Sequence, residues 1–523
     1  MAVELGASRL LAPYFSSSQI VWTIIIGTIM IAMALGNLYG GRAADKNHDP
    51  GRLYRRLLIA AVWIAAIPLV GKYIILAVTG LMIIAVNTWF LIWAAFAACM
   101  VIFVFPLFLL GTVTPSLVKY ATDSLDDNGR VVGTLGAWNT IGSILGTFLP
   151  TFVTIPAVGT AVTFLLFSGI LLVIASIYFL SSGKKKTAVI ISGVMFILCA
   201  FFGNSDSFAF WERDLTYEGE SVYNYLQVRD TPQATILSTN VLFGVQSIRM
   251  KEGGLTGMYY DDALAAPVMA RFQEKEHPTA LVLGMGTGTW AMQLKEFFPD
   301  CEVEGVEIDE DITRLAHTYF ALDPSIPVTT YDGRAFLQAV DGTYDCIMVD
   351  AYRDITIPFS MSSVEFFTLV KEHLKPDGVM VVNMNMRDDE PGNINACLSD
   401  TIASVFPSVL TVDVRGSTNR ELFASETELT EAFARGRTEL AKAGDNSEMS
   451  ADLRDRRLVL ADRMTQTADR QQVYRGGGYL LTDDKAPVEL LGMRVIDGLI
   501  RDEIGYYKQR FREEGIRGLL EAI

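Results

Sequence analysis

Two aspartates four residues apart, Asp350 and Asp354, follow an apolar run in DCIMVDAYRD. Paired acids at the end of a strand suit a substrate amine. One can take a proton from an ammonium while the other holds a positive charge. Two more acids stand at comparable places upstream. Glu307 ends EVEGVE, and Asp332 follows VTTY. A carboxylate at the first position can accept hydrogen bonds from both ribose hydroxyls, and one at the second can accept from an adenine amino group. Glu307 lies 23 residues after the first glycine of GMGTGT. There Gly284, Gly286 and Gly288 permit a tight turn and a close approach of backbone to ligand. A glycine turn and two strand-end acids describe one nucleoside pocket, with Asp350 facing the reactive end of the nucleoside.

Alternating elements must place these residues. The segments ALVLG, WAMQLKEFF, EVEGVEID, EDITRLAHTYF, VTTYDG, DCIMVDAY, SVEFFTLVKEHL and GVMVVNMN read as strand and helix in turn. That order predicts a doubly wound parallel sheet, with the site at its carboxyl edge. Ahead of it, SVYNYLQVRD, ATILSTN and FGVQSIRM alternate apolar and polar residues and predict a small antiparallel sheet. A helix is expected near Tyr260–Glu274, and the polar stretch Glu426–Arg475 reads as helical.

The front of the chain differs in kind. Up to Gly203 there are 12 Lys/Arg and 6 Asp/Glu, against 31 and 53 in the remainder. The segments Ile20–Tyr39, Leu57–Val70, Phe90–Leu110, Val131–Ile155 and Ala161–Leu180 are apolar over about the length a bilayer requires. The run resumes after Lys72 to Val86 as a second span or a broken segment. Ala188–Gly203 is a marginal span. The opening MAVELGASRLLAPYF reads as the end of a helix. The small residues of GAWNTIGSILGTFLP predict close helix packing. The basic groups at Arg42, Lys46, Arg52, Arg55 and Arg56, and at Lys184–Lys186, face the cytoplasm by the positive-inside rule. A full span at Ala188–Gly203 would then carry the acidic half outside. Adenosyl cosubstrates are made in the cytosol, so that half is expected there.

Other classes are excluded on simple grounds. The acidic half lacks the clustered Lys and Arg that phosphate binding needs, so nucleic acid is not a partner. None of the five cysteines forms a CxxC, and the four histidines show no ligand spacing, so no metal site is expected.

Residues from about 205 to 425 resemble the spermidine synthase family of aminopropyltransferases. The likeness runs through ESVYNYLQV, GVQSI, YYDDALAAP, GMGTGT, GVEID, YDGRAF and MVDAYRD. With the apolar front half, the chain is similar to membrane-fused spermidine synthase-like proteins. LTDDKAPVE looks like a segment of that fused group. The resemblance implies a multi-span α-helical membrane domain over 1–203, a small β-sheet subdomain over 204–255 and a Rossmann-like, methyltransferase-type catalytic domain over 256–523. It implies cytosolic transfer of an aminopropyl group from decarboxylated S-adenosylmethionine to a polyamine such as putrescine, without metal. By motif position, Glu307, Asp332, Gly333 and the glycine turn would hold the cosubstrate. Asp350 would be the base and Asp354 would help hold the amine, while Tyr223, Gln246 and Tyr260 would line the cleft. Family members are often homodimers. Where spermidine synthases carry an aspartate in the glycine turn, this chain has Thr287. One of the acids Asp261 and Asp262 is the candidate to replace that charge. Two alternatives stay open. One is methyl transfer from S-adenosylmethionine to an amine or membrane-associated substrate. The other is a non-enzymatic nucleoside or polyamine sensor coupled to a transport-like membrane domain.

Overall fold

The computed structural model describes residues 1–15, 18–86, 88–122, 128–183, 185–203, 207–212, 214–241, 245–352, 356–385, 387–388, 390–442 and 449–522. Two compact units divide the chain. One is Met1–Trp211 with Ile500–Ile523, and the other is Glu212–Leu499.

The first unit is helical: α1 (Ala2–Phe15), α2 (Gln19–Lys46), α3 (Pro50–Ala85), α4 (Phe90–Gly111), α5 (Val113–Ala121), α6 (Asn128–Leu149), a π-helical turn (Pro150–Thr154), α7 (Ile155–Ser181) and α8 (Lys186–Gly203). Five segments among the described residues are long and apolar enough to cross a membrane: Gln19–Lys46, Pro50–Ile83, Phe90–Ala121, Asn128–Ser181 and Lys186–Gly203. Asp49 caps α3, and Pro50 occupies the first turn, where its missing N–H costs nothing. One expectation needs correction and another is narrowed. Lys72 does not divide α3, which continues unbroken through it. The Lys72 ammonium donates to the Ser207 carbonyl at 2.6 Å and lies over the rings of Tyr73 and Phe210, so its charge is accommodated without unwinding the helix. Along the small residues of α6, close packing among the described residues is confined to Gly146, whose Cβ would lie 3.5 Å from the Ala2 amide nitrogen. Gly133, Gly136 and Gly142 meet no neighbour within 4 Å among the described residues. A closer approach falls between α2 and α4, where a Cβ on Gly111 would sit 2.7 Å from the Met33 carbonyl oxygen.

The second unit opens with four antiparallel strands in sequential order: β1 (Leu215–Glu220), β2 (Tyr225–Asp230), β3 (Ala234–Ser238) and β4 (Ser247–Met250). The expected helix near Tyr260–Glu274 is three short pieces: α9 (Tyr259–Ala263), α10 (Ala265–Met269) and a 3-10 turn (Phe272–Glu274). Arg271, in the left-handed region at φ 61°, breaks the run. Alternation follows: β5 (Thr279–Leu283), α11 (Thr289–Phe297), β6 (Glu302–Glu307), α12 (Glu310–Tyr319), β7 (Val328–Thr330), α13 (Gly333–Ala339), β8 (Tyr344–Val349), α14 (Val364–Glu372), β9 (Leu374–Met384) and α15 (Ile394–Val405). Then come β10 (Ser408–Asp413), β11 (Arg420–Ser425), α16 (Leu429–Ala441), α17 (Ala451–Ala468) and β12 (Gln471–Val473), while α18 (Val488–Ala522) starts in this unit and ends in the first.

These eight later strands form one sheet in the order β12-β10-β11-β9-β8-β5-β6-β7. The five from β9 to β7 are parallel, and β11, β10 and β12 join antiparallel. The sheet is therefore mixed rather than wholly parallel. The central strands are covered on both faces, which is why ALVL and CIMV read as continuous apolar runs. Val282, Met348, Val381 and Phe423 belong to the main core. The small sheet buries Leu226, Val228 and Leu237 against Ile312, Leu315 and Phe320 of α12 and its exit. That packing brings the β1–β2 turn to the end of β6. Within the stretch Glu426–Arg475, α16 and α17 are the expected helices, and near its end β12 extends the sheet.

Candidate active site

The parallel strands all end at one edge, and the expected acids gather there. After β5 the chain turns sharply through Gly284, Gly286 and Gly288, with φ of 87°, 54° and 85°. A Cβ on Gly284 would lie 2.6 Å from the Asp350 carbonyl oxygen. Only glycine allows this turn to lie against the end of β8. A Cβ on Gly286 would meet the Ser247 hydroxyl at 2.5 Å. The same hydroxyl accepts from the Thr287 amide at 3.2 Å, tying the turn to the small sheet.

Glu307 closes β6 and is buried. It accepts from the Gly286 amide at 2.8 Å and the Asp309 amide at 3.1 Å, one on each oxygen. Each oxygen keeps a lone pair, so the group fits a pair of donor hydroxyls such as those of a ribose. Burial pushes its proton affinity up to about 7, against the pull of those amides. Asp309 caps α12 and holds the β1–β2 turn. It accepts from the Ser221 hydroxyl at 2.5 Å and the Asn224 side-chain amide at 2.9 Å. Tyr223, between those two, is largely exposed. Asp332 is exposed and caps α13 by accepting from the Ala335 amide at 2.9 Å, which leaves one oxygen open beside Gly333. Ile308 and Tyr331, the residues flanking these two acids, expose apolar surface.

Asp350 follows β8. One oxygen accepts from the Tyr259 hydroxyl at 2.7 Å, the other from the Asn383 side-chain amide at 2.9 Å. Asn383 is itself oriented by Asn419, which donates to its oxygen at 2.8 Å. The Asn383 amide nitrogen must therefore face the carboxylate. Burial, with Glu307 adding a like charge, raises the Asp350 proton affinity to about 7 in spite of its two donors. Asp354 lies outside the described residues.

Sequence reasoning singled out Tyr260, whose hydroxyl in fact donates to the Gln246 backbone carbonyl at 3.0 Å. Its neighbour Tyr259 is the one that touches Asp350, and the two rings lie 4.0 Å apart, tilted by 31°. Asn383 was also missed. Its signal was a lone amide within the apolar run VMVVNM.

Asp261, a candidate to replace the charge absent at Thr287, is held by neutral donors of the fold itself. Its carboxylate accepts from the Thr256 amide and hydroxyl, the Gly257 amide and the Gln293 side chain, at 2.7 to 2.9 Å. Three of these donors meet Oδ1 and one meets Oδ2. Asp262 is fully buried and paired with Arg463 and Arg470 at 3.0 and 2.7 Å. The Thr287 hydroxyl is buried and has no partner among the described residues, so it can take a hydrogen bond from a ligand but supplies no charge. LTDDKAPVE gains a structural role. Asp483 makes a two-pronged ion pair with Arg334 at 2.7 and 2.6 Å and accepts from Ser363 at 2.6 Å. This fixes α13, which follows Asp332. No group of three metal-ligating side chains occurs among the described residues.

The chain is similar to several known proteins. The family described as "Spermine/spermidine synthase domain" matches residues 259–412. A probable polyamine aminopropyl transferase of Bifidobacterium longum (strain NCC 2705) is 52% identical over 359 residues, 66% of this chain and 78% of that protein. The polyamine aminopropyltransferase of Vibrio vulnificus (strain CMCP6) is 32% identical over 108 residues, 20% of this chain and 36% of that protein. A solved structure, a probable spermidine synthase from Corynebacterium glutamicum ATCC 13032, aligns over 43% of this chain and 86% of its own, at 20% identity and a TM-score of 0.37.

Proposed function

This chain belongs to the spermidine synthase family of polyamine aminopropyltransferases, and on that premise we propose that it moves an aminopropyl group from decarboxylated S-adenosylmethionine to a polyamine such as putrescine. The observation that carries this reading is Asp350. It is a carboxylate beside the glycine turn, held by two neutral donors, with its proton affinity raised to about 7. A general base works best when its pKa lies near the working pH.

The reaction balances simply. An amine with a pKa near ~10 in water must shed a proton before it can attack. Its lone pair forms a bond to the carbon beside the sulfonium sulfur. The carbon–sulfur bond breaks, its electrons stay on sulfur, and methylthioadenosine leaves. The proton passes to Asp350. The sulfonium is already a good leaving group, so positioning and deprotonation are most of the work. Glu307 and Asp332 would hold ribose and adenine. Tyr259 and Asn383 position the base. An edge rich in acids also favours ligands that arrive as cations. On this reading the acidic unit faces the cytoplasm, where the cosubstrate is made, and is anchored to the bilayer by the helical unit.

The test is product identity. Detergent-solubilised protein is incubated with putrescine and either decarboxylated or intact S-adenosylmethionine. Methylthioadenosine that depends on Asp350 supports the proposal. Adenosylhomocysteine would replace it with methyl transfer, and nucleoside binding without product would replace it with a sensor.

A further inference from the structure

Glu421 lies on β11 with none of its surface exposed, and neither carboxyl oxygen has a hydrogen-bond partner among the described residues. A buried carboxyl without donors costs folding free energy. The acids that bear on it, Asp350 and Asp262, do not neutralise it, and burial with these like charges raises its proton affinity well above the usual carboxylate range. Asp262 is already committed to Arg463 and Arg470.

Its position is specific. Glu421 pairs with Asn383 across β11 and β9, so the two side chains share a face of the sheet. Asn383 donates to Asp350 from that face. Helix α9, which delivers Tyr259 to Asp350, packs on both strands. Along the carboxyl edge the order is Asp332 after β7, Glu307 on β6, the glycine turn after β5, Asp350 after β8, Asn383 on β9, then Glu421 on β11. A nucleoside held by the first three leaves its electrophilic carbon near Asp350. The attacking nitrogen must approach that carbon opposite the departing sulfur, from the side of β9 and β11. If that nitrogen belongs to a diamine, the far end of the molecule extends the same way. Adjacent strands lie about 4.8 Å apart, so β8 and β11 are separated by about 10 Å. Two acidic side chains and a short diamine bridge such a distance.

We infer that Glu421 selects the acceptor: it receives the second, non-reacting ammonium of a diamine while Asp350 deprotonates the first. The ammonium supplies the donors that the fold withholds from this carboxyl. The assignment rests on the aminopropyl-transfer reading.

The experiment is equilibrium binding to the full-length, detergent-solubilised protein with methylthioadenosine present. The probes are putrescine and n-butylamine, which share a carbon chain but differ by one ammonium. Wild type is expected to bind putrescine at least about tenfold tighter, the scale of a hydrogen bond to a charged group. In Glu421→Gln the ratio should fall to near one, and Glu421→Asp, which keeps the carboxyl group, should restore part of it. Glu421→Met is the second loss-of-charge variant, because replacing an unpartnered buried acid by an apolar side chain of similar volume is neutral or stabilising. A wild type without preference, or a preference kept in both uncharged variants, overturns the assignment. Turnover of decarboxylated S-adenosylmethionine is measured in parallel. A lost ratio without methylthioadenosine formation leaves Glu421 as an ammonium subsite and removes aminopropyl transfer. An unchanged ratio with turnover intact does the reverse.

Discussion

Strand β8 has an aspartate near each end, and the two are held in opposite ways. Asp345, at the start, is buried. It pairs with Lys275 at 2.6 Å and Lys375 at 2.7 Å, and it accepts from the Thr279 amide at 2.8 Å. Burial alone would raise its proton affinity, but the two lysines and the amide bring it down to about 2. Asp350, just past the other end, has only the neutral donors Tyr259 and Asn383, and burial takes it up to about 7. One strand thus carries a permanently charged clamp at its foot and a proton acceptor at its head. The difference lies in the partners: two lysines fix the first as an ion, whereas the second, held among the described residues by a hydroxyl and an amide, is able to change state near neutral pH.

Replacing each acid by its amide should separate the two roles most sharply. Asp350→Asn is expected to lower turnover by about 10² to 10⁴, the range of general-base contributions, while methylthioadenosine affinity stays within about threefold. Asp345→Asn should leave turnover nearly unchanged and cost on the order of 2 kcal/mol in denaturant unfolding. That is less than a fully buried pair would lose, because Lys375 keeps 34% of its side chain in water. The reverse pattern would break the comparison.

A smaller effect is expected at Glu307, whose raised proton affinity places it with Asp350. Glu307→Gln removes a charged acceptor, so methylthioadenosine should bind about 10- to 100-fold more weakly by calorimetry. Smaller again is the split between adjacent tyrosines. Tyr259→Phe should reduce kcat by about tenfold, because Asp350 loses one of its donors. Tyr260→Phe should reduce it by less than about threefold, since its hydroxyl serves the Gln246 carbonyl. Equal losses would mean that contact with Asp350 does not distinguish the two rings.

The acids at the strand ends were legible in the sequence because strand length and glycine spacing are local properties. Glu307 and Asp350 stand where the pattern puts them. The choice between Tyr259 and Tyr260 was not legible. Helix α9 has five residues, too few for an apolar period to reveal which ring faces the sheet. Asp261 and Asp262 looked available because their partners are remote or made of backbone. Arg463 and Arg470 lie about two hundred positions away, and the Gly257 amide leaves no trace in residue type. In the helical unit, Lys72 suggested an interruption because its acceptor, the Ser207 carbonyl, is likewise invisible in sequence. Asn383 and Glu421 were single polar residues in apolar strands, and their significance emerges only when β9 and β11 are seen side by side.

The smallest effect is the pH dependence of stability, where the two ends of β8 should act with opposite sign. Asp345 has its proton affinity depressed by folding. It adds stability that is present above its unfolded value near 4 and lost as pH falls through about 2. Asp350 and Glu307 have theirs raised. Their contribution is full below about 4 and lost as pH rises through about 7. Unfolding of the ligand-free protein should therefore become easier between about pH 5 and 8, and Glu307→Gln should flatten that slope.

The most direct test is the pH dependence of the chemical step, followed by rapid quench in a single turnover with decarboxylated S-adenosylmethionine and putrescine. With Asp350 as the base, the wild-type rate should rise about tenfold per pH unit below about 7 and level off above it, and the residual rate of Asp350→Asn should lack that inflection. A wild-type rate that does not change with pH, or an Asp350→Asn variant that keeps the same inflection, would contradict the assignment.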